Sequence, residues 1–123
     1  MVGEFMKLLA EISFPGWKLV SENRRLRMHW AARRRLEKPP CRIERNFSLN
    51  VFKQTKRRVV EITRYGPRLL DEDNLAASMK PVLDFIKSKG LAVGHIKDDS
   101  PRWCKLVAKQ EKGDYGVRVR IYE

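Results

Sequence analysis

The chain has 123 residues and a formal net charge of +12, from 27 Lys+Arg against 15 Asp+Glu. A 42% hydrophobic content excludes a disordered chain, and no apolar run approaches the length needed to cross a bilayer. Such a basic balance speaks to polyanionic partners rather than to fold, and a membrane surface is disfavoured because no helix pairs a strong apolar face with a basic back.

The length implies one domain over residues 1–123, small enough that a partner subunit would help it bury surface. Met1-Val2-Gly3-Glu4-Phe5, ahead of a second methionine at Met6, reads as a vector-derived leader with no part in the fold. No N-terminal stretch joins a basic flank, an apolar core and a small-residue cleavage site, so a cytoplasmic protein is expected. Cys41 and Cys104 lack metal-type spacing and read as reduced structural thiols.

From Lys7 to Phe14, Leu8, Ala10, Ile12 and Phe14 alternate with Leu9, Glu11 and Ser13, which predicts a strand ended by Pro15-Gly16. Ser21 is placed to cap a helix running to about Lys38, where Pro39-Pro40 stops it. Phe47 to Phe52 and Val59 to Thr63 predict a strand pair joined through Lys53-Gln54-Thr55-Lys56, with Val60 and Ile62 on one face of the second strand. A second helix starts with Asp73 as cap or first-turn residue and ends near Gly90. Leu75, Met79, Val82, Leu83 and Ile86 form its apolar stripe, and Pro81 predicts a kink or break. Trp103 to Lys109 and Val117 to Tyr122 read as closing strands on either side of Gly113-Asp114-Tyr115-Gly116. The expected fold is α+β: a small mixed or antiparallel sheet with two main helices packed on it.

Six of the acidic residues are Asp71, Glu72, Asp73, Asp84, Asp98 and Asp99. A local knot of carboxylates repels both itself and phosphate unless a cation sits among them. Asp71 and Asp73 are two apart, so in an extended segment both side chains share a face, and a neighbouring strand would bring Asp99 beside them. Mg²⁺ takes carboxylate oxygens and keeps exchangeable waters, a source of both nucleophile and charge stabilisation for phosphodiester hydrolysis. Helix capping by Asp73 and solvated turn acids are the structural alternative, and composition alone leaves both open.

The stretch Asp71-Glu72-Asp73-Asn74-Leu75, then Lys80-Pro81-Val82-Leu83-Asp84, Gly90-Leu91 and Asp98-Asp99-Ser100-Pro101, resembles the RusA family of Holliday junction resolvases. Ser21-Glu22-Asn23-Arg24-Arg25 and His29-Trp30 are similar, less specifically, to its phage and prophage members. The resemblance implies a RusA-like fold and a Mg²⁺-dependent homodimeric endodeoxyribonuclease, with Mn²⁺ able to substitute and no small-molecule cofactor. Such an enzyme resolves four-way DNA junctions by paired nicks during recombination and repair. It implies Asp71, Asp73 and Asp99 as catalytic, metal-binding acids, assisted at the metal by Asp98. The family's lysine, four residues after the second aspartate, is Ala77 here. Lys80 shares a helical face with Asp73, Ala77 and Asp84, and so is a candidate for that catalytic role or for an i,i+4 salt bridge to Asp84.

Arg24, Arg25, Arg27, Arg33, Arg34 and Arg35, with Lys38, form one basic cluster, and Lys53, Lys56, Arg57, Arg58, Arg64 and Arg68 form another. Guanidinium forks suit phosphate oxygens, so the first cluster and Arg68 are candidate contacts to branched DNA, structure-selective and salt-sensitive. Trp17, Trp30 and Trp103 read as core or dimer-interface residues rather than stacking platforms; His29 and His95 are not at paired metal-ligand spacing, and His95 reads as a surface histidine. Two other readings remain: a non-catalytic basic DNA-binding or architectural protein, and a flap or RNA nuclease on the same scaffold.

Overall fold

The computed structural model describes residues 7–21, 24, 27–36, 44–47, 54, 56–87, 96 and 100–123. Its elements are β1 (Leu8–Pro15), α1 (Trp30–Leu36), β2 (Glu44–Phe47), β3 (Arg58–Gly66), α2 (Glu72–Ser78), α3 (Lys80–Lys87), β4 (Cys104–Lys112) and β5 (Gly116–Tyr122). The five strands form one mixed sheet in the order β2-β1-β5-β3-β4. Only β3 and β4 are parallel, and α2 and α3 form part of the connection between them. The α+β architecture expected from the sequence is the one observed.

Period-two patterning predicts most of β1, since Ala10, Ile12 and Phe14 face the core. The alternation fails at its start: Leu9 is buried and Leu8 exposed, because the pairing with β5 shifts register between Leu8 and Ala10. Gly16 ends the strand at φ 79°, in the left-handed region where a Cβ is disfavoured. Gly16→Ala should cost about 1–2 kcal/mol, measured as a lower denaturation midpoint.

The expected pairing of a strand at 47–52 with β3 is corrected by the structure. The described strand is β2 at Glu44–Phe47, and it pairs with β1, with Ala10 opposite Phe47, while β3 takes β4 and β5 as neighbours. Residues 48–53 lie outside the described residues. Proximity in sequence favours pairing of successive strands, but β1 offers a free edge on the far side of the sheet.

The first helix is also interrupted. Arg24 and Arg27 are helical, the chain bends at Met28, and the helix resumes at Trp30. Ser21 does act as expected, its Oγ accepting from the Arg24 amide at 3.3 Å. His29 Nδ1 accepts from the Ala31 amide at 3.3 Å, at the start of α1.

In the second helical region Pro81 has the expected effect. It lacks an amide hydrogen, and the run divides at Met79 into α2 and α3, so Pro81 falls in the first turn of α3, where no donor is required of it. The apolar stripe survives the division: Leu75, Met79, Val82 and Ile86 are buried, with Leu83 packed against them. They meet Ile12, Val60, Ile62, Val119 and Ile121 on the sheet, each fully buried aliphatic contributing about 1.5–3 kcal/mol. Phe14, Trp17 and Phe85 close this core edge to face, with centroids 5.0, 5.6 and 6.2 Å apart.

Strands β4 and β5 are not neighbours, because β3 lies between them. Residues 113–115 therefore pass over the end of β3, where the Gly113 amide donates to the Gly66 carbonyl at 3.0 Å. On the other side the Gly16 amide donates to the Tyr115 carbonyl at 2.9 Å. This crossover gathers the end of β1, the end of β3 and Tyr115 at one end of the sheet.

Candidate carboxylate and arginine site

The chain leaves the carboxyl end of β3 at Gly66, runs through Pro67 to Leu70, and enters α2 at Glu72. Two core-facing polar side chains hold this short loop. Arg64 and Gln110 sit opposite each other in the parallel ladder of β3 and β4. The Gln110 side chain accepts from the Leu70 amide at 2.8 Å and donates from Nε2 to the Leu70 carbonyl at 2.6 Å. Arg64 donates from Nη1 to the Arg68 carbonyl at 2.8 Å and from Nε to the Leu19 carbonyl at 2.9 Å. The residue immediately before Asp71 is thus pinned at both backbone groups by a strand at the sheet edge.

Asp71 is the N-cap of α2, extended at φ −67° and ψ 166°, with Oδ1 accepting from the Asn74 amide at 3.2 Å. Asp73 lies in the first turn with Glu72. Asp73 thus takes the first-turn place, one of the two expected for it, while the shared extended face of the pair is not formed: Asp71 caps the helix and Asp73 lies within it. Capping falls to Asp71 rather than Asp73 because the Asp71 carbonyl already accepts from Leu75, opening the helix one residue earlier. Both carboxylates are exposed, and neither has an ion-pair partner among the described residues.

The donor chemistry fits a hard cation in part. Asp73 offers both oxygens, and Asp71 retains Oδ2 after capping. Among the described residues no group of three or more His, Cys, Asp or Glu comes together. Asp98 and Asp99, the other expected ligands, lie outside the described residues, as does His95.

Lys80 opens α3 and is exposed. Because the helix divides at Met79, Asp73 and Ala77 belong to α2 while Lys80 and Asp84 belong to α3, so the common face of one unbroken helix is interrupted. The expected Lys80–Asp84 bridge is not formed. Asp84 pairs instead with Lys87 at 3.6 Å, and Lys80 has no ion-pair partner among the described residues.

The basic clusters also divide on inspection. Arg24, Arg27, Arg34, Arg35, Lys56, Arg57 and Arg68 are exposed. Arg25, Lys38, Lys53 and the Arg33 side chain lie outside what the structure describes. Arg58 and Arg64, read as surface cations from sequence, are only 1% and 4% exposed. Arg58 donates to Glu123 at 2.8 Å, whereas Arg64 has no carboxylate partner among the described residues. Burial lowers the Arg64 pKa from its ordinary value, with nearby Tyr115 acting in the opposite sense.

Trp17 is core, whereas Trp30 is 59% exposed on this chain, so of its two expected places the core is excluded. The Arg34 guanidinium stands 5.9 Å from the Trp30 ring centroid and the His29 ring 5.6 Å away. Three arginines follow it closely in sequence, and α1 presents the ring at the surface of the chain.

Arg64 and Gln110 were missed as positioning residues. The signal was present in the alternation: Arg64 continues the inward face of Val60 and Ile62, where a charge needs a partner.

Comparison with models of protein families, with curated proteins and with solved structures finds no match for this chain. No helix among the described residues is long and apolar enough to cross a membrane.

Proposed function

We propose that the chain is a Mg²⁺-dependent endodeoxyribonuclease that resolves four-way DNA junctions, working as a homodimer. The observation that carries this reading is the presence of two exposed carboxylates, Asp71 and Asp73, without ion-pair partners among the described residues of a chain of net charge +12. Their place is consistent with it, since both lie on the exposed loop and helix start that follow the carboxyl end of β3. Asp71, Asp73 and Asp99 would hold the metal, with Asp98 assisting. The ion would supply charge neutralisation at the scissile phosphate and an activated water. Lys80, without an ion-pair partner among the described residues, stands at the start of α3 and is available to offset phosphate charge. Arg24, Arg27, Arg34, Arg35 and Arg68 offer phosphate contacts, as do Arg25 and Arg33 in the same sequence cluster.

One observation favours a second reading, a non-catalytic basic DNA-binding protein: Asp71 already has a structural task as the α2 cap. Incubating the full chain with a synthetic four-way junction, a flap, a linear duplex and RNA, each with Mg²⁺ or with EDTA, separates the readings. Paired nicks in the junction that vanish with EDTA are expected. Tight junction binding without cleavage would establish the architectural reading, and preferential cutting of the flap or RNA would redefine the substrate.

The exposure of Trp30 carries its own expectation. Trp30→Ala should weaken single-stranded DNA binding about tenfold, near the lower end of base–aromatic stacking, as measured by fluorescence anisotropy.

A further inference from the structure

Behind the loop that carries Asp71 lies a cleft of about 360 Å³, lined among others by Ser21, Arg24, Arg64, Arg68, Leu70 and Tyr115. Three guanidinium groups thus share one concavity, and none has an ion-pair partner among the described residues. Arg64 forms its buried floor. Its Nε and Nη1 serve main-chain carbonyls, and Nη2 has no acceptor among the described residues. Gly66 leaves room for this guanidinium, since a Cβ there would stand 3.0 Å from Nη2 and 3.2 Å from Cζ.

A buried positive charge without a counter-charge is costly to fold around, and an arriving anion removes that cost. The guanidinium fork suits phosphate oxygens, three such groups favour an anion of more than one charge, and the hydroxyls of Ser21 and Tyr115 add hydrogen-bonding capacity. Val20, Pro67 and Leu70 give the same cleft apolar wall, suited to a sugar or base attached to that oxyanion. Leu70 both lines the cleft and precedes Asp71, so the cleft adjoins the carboxylates along the chain.

We propose that this cleft is a phosphate subsite that seats one backbone phosphate of a DNA strand beside Asp71 and Asp73. The oxyanion chemistry stands on the arginines themselves, while its assignment to DNA rests on the nucleic-acid reading above. Arg24 and Arg68 reach the phosphate from the exposed rim and Arg64 from below.

The test uses the full chain in EDTA, so that no cleavage intervenes. Arg64 is left in place, because its removal would strand the Leu19 and Arg68 carbonyls. In the wild type, a short DNA duplex should shift the Arg64 Nε–Hε NMR resonance. The double variant Arg24→Gln/Arg68→Gln should abolish that shift, weaken duplex binding about tenfold near 0.1 M salt, and reduce the salt dependence by about one phosphate. The charge-matched Lys7→Gln/Lys105→Gln variant, altered at the opposite end of the sheet, should lose less than about twofold, as expected for cations beyond a Debye length from the bound phosphate. An unmoved Arg64 resonance, or equal losses in the two double variants, would overturn the subsite. A shift with inorganic phosphate but none with DNA would overturn its assignment to a nucleic-acid strand. Junction nicking with Mg²⁺ is scored separately on the wild type, so a DNA-responsive cleft in a protein that does not cut would retain the subsite and refute the nuclease.

Discussion

Asp73→Asn should abolish Mg²⁺-dependent nicking of a four-way junction while leaving junction binding intact or tighter. The substitution removes one negative charge and one hard oxygen donor but keeps the side-chain shape. The Asp73 side chain makes no hydrogen bond or ion pair among the described residues, so no described contact is lost. Losing an outer-shell partner of a metal already costs up to about a hundredfold, and loss of a direct ligand should cost at least that. Folding stability should change little, by about 0.3–1 kcal/mol at most, from the weaker interaction with the α2 dipole. The choice of Asp73 is deliberate. Asp71→Ala would also remove the cap on the Asn74 amide and confuse a helix defect with a catalytic one, whereas asparagine at position 71 still caps. Measured nicking rates and electrophoretic binding of the two asparagine variants, each beside wild type, decide the matter. Undiminished cleavage by Asp73→Asn would remove this residue from the reaction.

Where local chemistry decided the structure, the residues could be read directly. The stripe from Leu75 to Ile86 and the break at Pro81 follow from side-chain period and from a missing amide hydrogen, neither of which depends on the rest of the chain. The position of β2 could not be read that way. Which edge a four-residue strand joins depends on which edges remain open after β1, β5, β3 and β4 have assembled. The candidate site divides along the same line. Asp71 and Asp73 announce themselves as a helix start, and the first-turn place of Asp73 is one of the two expected, but spacing could not fix at which residue the helix opens. Arg64 disappeared into a count of surface cations. Its inward parity on β3, not its charge, was the informative property, and parity gains meaning only once β3 is known to be a central strand. Trp30 shows the converse, since hydrophobicity alone does not say whether a ring is buried within the chain or left at its surface.

Gln110→Ala should both destabilise the fold and slow the proposed reaction, although Gln110 lies on β4 and outside the carboxylate pair. Its amide accepts from and donates to the two backbone groups of Leu70. Truncation leaves a part-buried N–H and C=O without partners, at a cost of about 2 kcal/mol, within the range for unsatisfied buried groups. Alanine at this position cannot replace either bond, and water entering the vacated space would hydrate the Leu70 groups without tying the Pro67–Leu70 segment to β4, which is then free to move. That movement would carry Asp71 with it, since Leu70 is its immediate neighbour and the cap at Asn74 follows. The expected kinetic signature is therefore a loss of at least about tenfold in nicking, a typical penalty for a group that orients a metal ligand. The Mg²⁺ concentration for half-maximal rate should rise, and Gln110→Glu should recover part of the effect by accepting from the Leu70 amide. A purely structural role would lower the denaturation midpoint while leaving the Mg²⁺ dependence of the folded fraction unchanged. Titrating Mg²⁺ at a temperature where both variants are fully folded distinguishes the two, and an unshifted midpoint would confine Gln110 to stability alone.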